Sequence, residues 1–226
     1  MAQVDRAAIV SCDPLVCQDL ASAGFPSVLT LTPMSNDPLG SELVVATATI
    51  RALFGGRLTS VYAPVTIASF GSGNAKISIQ LVFDGGTAKY RKVERAALSY
   101  RKEAGAQLLA NSQIKASATA RAQLLDGDID PLLPLLLAEM AAIHPVDIVS
   151  FVSQSPGGGP GSLVRSVDLA TDDSAAHMTP AAYLRWMKAL IGAQTAEYAP
   201  QWVQEVPSRA GQAVLRITYG APSPLS

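Results

Sequence analysis

Ala7-Ala-Ile-Val-Ser11-Cys12-Asp13-Pro14-Leu15-Val16-Cys17-Gln-Asp-Leu-Ala-Ser-Ala23-Gly24-Phe-Pro-Ser27-Val-Leu-Thr-Leu31 is the stretch on which the reading of the fold turns. Ala7–Ser11 is apolar and short, as a buried strand is. Asp13 has the side chain of a helix N-cap, and Pro14 follows at the first helical position, where a missing N–H and a fixed φ cost nothing. The helix runs to Ala23, Gly24 closes it, and Ser27–Leu31 resumes as a strand. A strand, a helix and a strand in so short a run pair in parallel through a right-handed crossover.

Outward from there, Glu42–Ala46 reads as a third strand, followed by a short helix capped by Thr47 or Thr49. Pro64–Phe70 and Ala75–Phe83 flank Gly71-Ser-Gly-Asn74, a hairpin signal, and Asp84-Gly-Gly86 turns into a long helix from about Thr87 to Leu109. Ser117 or Thr119 starts another helix, Asp126-Gly-Asp128 breaks it, and Asp130 with Pro131 starts a third that ends near His144, before Pro145. Val146–Val152 alternates as a strand; Ser155–Ser162 is glycine-rich, with Gly157–Gly161 expected to be mobile; Leu163–Ala170 returns beside the strand. A helix from Thr179-Pro180 to Ile191 and strands over Trp202–Val206 and Ala213–Tyr219 complete the pattern. The expectation is an α/β protein, α+β in its second half. It has two small α/β subdomains with mixed sheets, residues 1–111 and 112–226, joined near Ala110–Ala116.

Composition narrows the function. The chain has 226 residues, 49% hydrophobic and 15% charged, which excludes disorder. Lys+Arg 17 against Asp+Glu 18 leaves a net charge of −1, so no overall field draws the chain to nucleic acid or anionic lipid, and no nucleic-acid partner is expected. The longest apolar stretch, Leu132–Ile143, contains Pro134 and Glu139 and falls short of the ~20 residues of a membrane helix. Asp5 stands where an export signal carries cations.

Cys12 precedes the Asp13 cap and Cys17 is four residues inside the helix, the two positions that touch in a hydrophobic staple. Their Cβ atoms then come within reach of a disulfide. Two reduced thiols packed as small apolar residues are the alternative, and two thiols without a nearby His or second pair cannot fill a zinc shell.

No catalytic, cofactor or metal site follows from the remaining motifs. Gly71-Ser-Gly73 and Gly157–Ser162 each lead into a strand, so neither offers a helix N-terminus to a phosphate, and an acid at Asp13 repels one. His144 suits the carbonyls at a helix end, and His177 sits in a polar loop with Asp172 and Asp173. Asp126, Asp128 and Asp130 lack the calcium loop's Glu, since the twelfth position is Leu137. Arg165 and Asp168 point to opposite faces of one strand. Tyr183, Trp186 and Leu190 have the spacing of a helix's core face, whereas Tyr198 and Trp202 are free to stack on a ligand. Arg165, Asp168, His177, Tyr198 and Trp202 are the residues expected to touch one.

Cys12-Asp-Pro-Leu-Val-Cys17, Asp37-Pro-Leu-Gly40, Val44-Val-Ala-Thr47, Val61-Tyr-Ala-Pro64 and Ala68-Ser-Phe-Gly-Ser-Gly73 resemble blocks of a family of extracytoplasmic domains of unknown function from actinobacterial membrane proteins. Ala104-Gly-Ala-Gln-Leu-Leu109, Asp130-Pro-Leu-Leu133, His144-Pro-Val146 and Ala221-Pro-Ser-Pro-Leu225 continue the resemblance over nearly the whole chain. It implies an envelope location behind a membrane anchor outside this sequence. The second half also resembles the scaffold of metal-dependent cell-wall DD-peptidases, whose Ser-x-His-x-x-Gly-x-Ala-x-Asp motif would end at Asp168. Gly159 and Gly161 stand where its Ser and His ligand belong, so no peptidoglycan hydrolysis is expected. The leading expectation is a non-catalytic extracytoplasmic domain that binds an envelope component or a partner protein, without a cofactor. A diverged cell-wall hydrolase and a small-molecule sensor using an interdomain cleft are the alternatives.

Overall fold

The computed structural model describes residues 7–35, 37–152, 162–171, 177–195, 198–207 and 213–220. The glycine-rich Gly157–Gly161 segment, Asp172, Asp173 and the Ala221–Leu225 block lie outside them. The fold is α/β, in two compact units: residues 7–95 form one, and residues 96–152 and 163–220 the other. The division falls inside a continuous helix, α3 (Gly86–Ala110), rather than at 110–116. Leu108 near the end of α3 belongs to the second unit's core, so the helix has no break where a linker would be.

The first unit holds β1 (Val10–Cys12), α1 (Pro14–Ser22), β2 (Val28–Thr30), β3 (Leu43–Ala46), α2 (Ala48–Phe54), a π-helical turn (Leu58–Tyr62), β4 (Val65–Phe70) and β5 (Ile77–Leu81). Its sheet has the order β2-β1-β3-β5-β4, parallel across β2, β1 and β3 and antiparallel beyond. Strand alternation sends Val10, Cys12, Leu43 and Val45 to the face packed with Leu20 of α1, and Val44 and Ala46 to the face packed with Ile50 and Phe54 of α2. Helices on both faces explain why β3 is apolar at every position.

Cys12 and Cys17 are disulfide-bonded across the start of α1, with Cα atoms 5.4 Å apart. Asp13 accepts from Val16 N at 3.1 Å as the cap of α1, which sets both cysteines where the staple geometry expects them. Replacing both by Ala is expected to lower the stability of this unit by about 2 kcal/mol, the chain-entropy value for so short a loop. Thiol titration of unfolded, unreduced protein should find no free thiol; two would show that the bond is absent.

The second unit holds β6 (Ile114–Ala116), α4 (Ala118–Asp126), α5 (Leu132–Ala141), β7 (Val146–Val152), β8 (Ser166–Ala170), α6 (Pro180–Gly192), β9 (Trp202–Pro207) and β10 (Ala213–Thr218). Its sheet runs β6-β7-β8-β10-β9, with β6 parallel to β7 and the other pairs antiparallel. β6 occupies the segment read as a connection. Three residues carry too little alternation to announce a strand, yet Ile114 is buried and pairs with Val146. Val146, Ile148, Val167, Leu169, Leu215 and Ile217 pack with Leu124 of α4, Leu133 and Leu137 of α5 and Met187 of α6. The opposite face of the sheet carries Ser150, Asp168, Arg216 and Gln204 in one cross-strand row.

Candidate functional site

Doubly wound sheets bind ligands outside the carboxyl ends of their parallel strands, at the point where strand order reverses. In the first unit that point lies between β1 and β3, and it is filled by the chain itself. Thr47, the cap of α2, donates from Oγ1 to Asp13 Oδ2 at 2.5 Å, while Asp13 caps α1. Asp13 is buried, so the helix end that would receive a phosphate already faces a carboxylate.

A concave surface lies in the second unit, around α5. Leu132-Leu-Pro-Leu-Leu-Leu-Ala-Glu-Met-Ala141 is apolar apart from Glu139, and Pro134 sits in the first turn, where its missing N–H costs nothing. Leu133, Leu136, Leu137 and Met140 enter the core, which leaves Leu132, Leu135, Ala138 and Glu139 on the outer side. Leu135 is 52% exposed, with Leu132 and Ala138 at i−3 and i+3 and Glu139 at i+4 beside it. One flank of α5 opens into a cavity of about 420 Å³, bounded by Tyr100, Arg101, Ala104 and Gln107 of α3, by Asn111 just beyond its end, and by Leu132, Leu135 and Ala138. The other flank opens into one of about 300 Å³, bounded by Leu135, Leu136, Glu139, Gln194, Tyr198 and Tyr219. Leu132, Leu135 and Ala138 border both.

Charge is buried beneath these flanks. Asp130 is 3% exposed, accepts from Leu132 N at 3.1 Å and lies 3.4 Å from Arg165 Nε. Burial pushes its carboxyl above the ordinary range, against the opposing pull of the Leu132 N–H and the Arg165 guanidinium. The same burial lowers Arg165. Tyr219 is pushed up to about 12, by burial first and then by the carboxylates of Asp130 and Glu139. Its hydroxyl donates to the Tyr198 carbonyl at 3.2 Å, which ties the Tyr198 turn to the end of β10.

The five residues expected to touch a ligand fall in four places. Tyr198, half exposed, borders the smaller cavity. Arg165 serves as the counter-ion of Asp130 behind it. Asp168 is held by Arg216, Nε to Oδ1 at 2.7 Å and Nη2 to Oδ2 at 2.8 Å, and it also accepts from Ser150 Oγ at 3.2 Å. Trp202 lies on the same sheet face as Asp168, one row along, on the outermost strand β9. His177 is exposed, in the left-handed region with φ 51, just before the Thr179 cap of α6. Glu139, Gln194 and Tyr219 are the bordering residues that sequence reading missed. Glu139 and Gln194 lie far apart in the chain, and only folding joins them, Nε2 to Oε2 at 2.9 Å.

Asp168, the residue on which a hydrolase likeness rests, thus has both oxygens bonded to a guanidinium. Among the described residues no group of three His, Cys, Asp or Glu side chains is placed to hold a metal ion. His144 stacks edge-on against Trp186 with centroids 4.7 Å apart, and Tyr183, 1% exposed, gives its hydroxyl to the Pro145 carbonyl at 2.7 Å. Both aromatics of α6 are therefore packing residues. Compared with known proteins, the chain matches no family model, no curated protein and no solved structure.

Proposed function

We propose that this chain is a non-catalytic binding domain of the cell envelope, and that its second unit seats an apolar segment of a partner polypeptide along α5. The observation that carries the reading is Leu135. It is a large apolar side chain, 52% exposed at the crest between two cavities, on a helix whose other face already supplies the core. Leu132, Leu135 and Ala138 carry apolar surface beyond the core face of α5, with Glu139 at its edge, and a contiguous exposed apolar patch rimmed by polar groups marks an interaction site. The rim supports a polypeptide occupant: Arg101, Gln107 and Asn111 border one flank, and Glu139 and Gln194 the other. Polar groups at the edge with apolar ones at the centre is the anatomy of a protein interface. The extracytoplasmic location, in a membrane-anchored protein, draws on the disulfide, since such bonds persist in oxidising compartments. Among the described residues no helix is long and apolar enough to cross a membrane.

The test is selection of short amphipathic peptides on the immobilised full chain, with Leu135→Asp as the counter-screen. Peptides selected on the native protein should lose at least about tenfold in affinity on Leu135→Asp, because a leucine side chain buried at an interface contributes about 1.5–3 kcal/mol. The thermal midpoint should hardly move, since Leu135 lies outside the core. Unchanged affinity, or amide shifts that map away from α5, would refute the groove.

A further inference from the structure

We infer that the smaller cavity beside α5, at Glu139, Tyr198 and Tyr219, takes an organic cation, the ammonium of a partner's lysine side chain with its aliphatic stem lying on Leu135 and Leu136. The inference rests on the binding reading of α5 and adds the chemistry of one subsite.

Three features of the cavity meet on this ligand. Two tyrosine rings border it, and an aromatic face attracts a cation through its quadrupole. Tyr219 is 5% exposed, and its hydroxyl is already given to the Tyr198 backbone carbonyl, so the Tyr219 side chain and the Tyr198 backbone are held together before a ligand arrives. Glu139 contributes a carboxylate: Gln194 donates to Oε2, and Oε1 remains as a second acceptor. The Tyr219 phenol is held protonated up to about 12, by burial first and then by Asp130 and Glu139, and the Glu139 carboxylate at the cavity wall favours a cation in this space. Leu132, Leu135 and Leu136 line the rest, which suits methylenes and not a bare metal ion. An anion would meet the Glu139 carboxylate. A neutral apolar group would leave Glu139 Oε1 unused. Lysine combines an apolar stem with a compact charged tip, the shape that snorkels from an apolar surface to a polar edge.

The experiment titrates the full chain with n-butylammonium, n-butanol and butyrate, followed by the ring resonances of Tyr198 and Tyr219. Butylammonium should give saturable shifts and bind at least about fivefold tighter than butanol, with butyrate weakest. Glu139→Gln should remove most of that preference while leaving butanol unaffected, and Tyr198→Leu should weaken butylammonium more than butanol. Equal binding of butylammonium and butanol would mean a merely apolar cavity and would overturn the assignment. So would tighter binding of butyrate, or an absence of saturable shifts. Peptides separate the two readings. Groove-binding peptides indifferent to Lys against norleucine would end the cation site and spare the groove. Butylammonium bound with the expected preference, and no peptide bound, would keep the cavity's chemistry and assign it to a free amine.

Discussion

Gly105→Ala is expected to destabilise the second unit by about 2–4 kcal/mol, the opposite of what the substitution does in an unconstrained helix. A Cβ at Gly105 would stand 2.3 Å from the Leu124 carbonyl oxygen and 2.8 Å from its carbon, both backbone atoms of α4. Backbone cannot rotate aside as a side chain does, so α3 and α4 must separate. That opens the core around Leu108 and Leu124 and widens the larger cavity beside α5, which both residues border. Helix propensity alone would reward the change by about 1 kcal/mol, and the clash must outweigh that gain. Gly192, the last residue of α6, supplies the control. A Cβ there meets nothing within 4 Å, so Gly192→Ala should stabilise by a few tenths of a kcal/mol up to about 1. Both tryptophans, Trp186 and Trp202, lie in the second unit, so the urea transition followed by their fluorescence reports that unit alone. If the two variants shift the midpoint in the same direction, α3 and α4 are not in backbone contact.

Local chemistry made the first unit legible and long-range geometry hid the site. Asp13-Pro14, the Gly24 stop and the apolar runs on either side are signals within a few residues, and they give β1, α1 and β2 with the Cys12–Cys17 bond across the cap. The caps at Thr47, Ser117 and Thr179 are likewise local, and each accepts a backbone N–H in its own first turn. β6 was hidden because its only claim to be a strand is the partner β7, thirty residues on. The candidate site was harder still. Leu135 reads as one more leucine of a core helix, since periodicity cannot tell which side of so leucine-rich a helix is covered. Glu139, Gln194 and Tyr219 reach one cavity only after α5, α6 and β10 are in place. Net charge concealed local charge too: Lys89, Arg91, Lys92 and Arg95 are exposed within two turns of α3 in a chain that is neutral to one unit.

Asp168→Ala is expected to cost the second unit about 3–4 kcal/mol, because it strands a guanidinium. Asp168 is 3% exposed in the middle of β8, and Arg216 stands directly opposite on β10, so the bidentate pair is built into strand register and not added at the surface. Removing the acid takes the bidentate counter-ion from Arg216, whose side chain is only 24% exposed, and breaking a buried pair costs about 3–5 kcal/mol. Asp168→Asn keeps the volume and one acceptor, and should cost about half as much. The double variant Asp168→Leu with Arg216→Met removes both charges and should fall within about 1 kcal/mol of the native protein, since apolar replacements of buried pairs are near neutral. A double-mutant cycle on the tryptophan-detected transition measures the difference. The same variants separate a structural acid from a catalytic one. A carboxylate reserved for a metal is poorly satisfied by the protein alone, so its removal leaves stability unchanged or raised. With zinc and purified muropeptides the native chain should release no new termini. Stability unaffected by Asp168→Ala, together with zinc-dependent cleavage that the variant loses, would make Asp168 a ligand and the Arg216 pair its resting state.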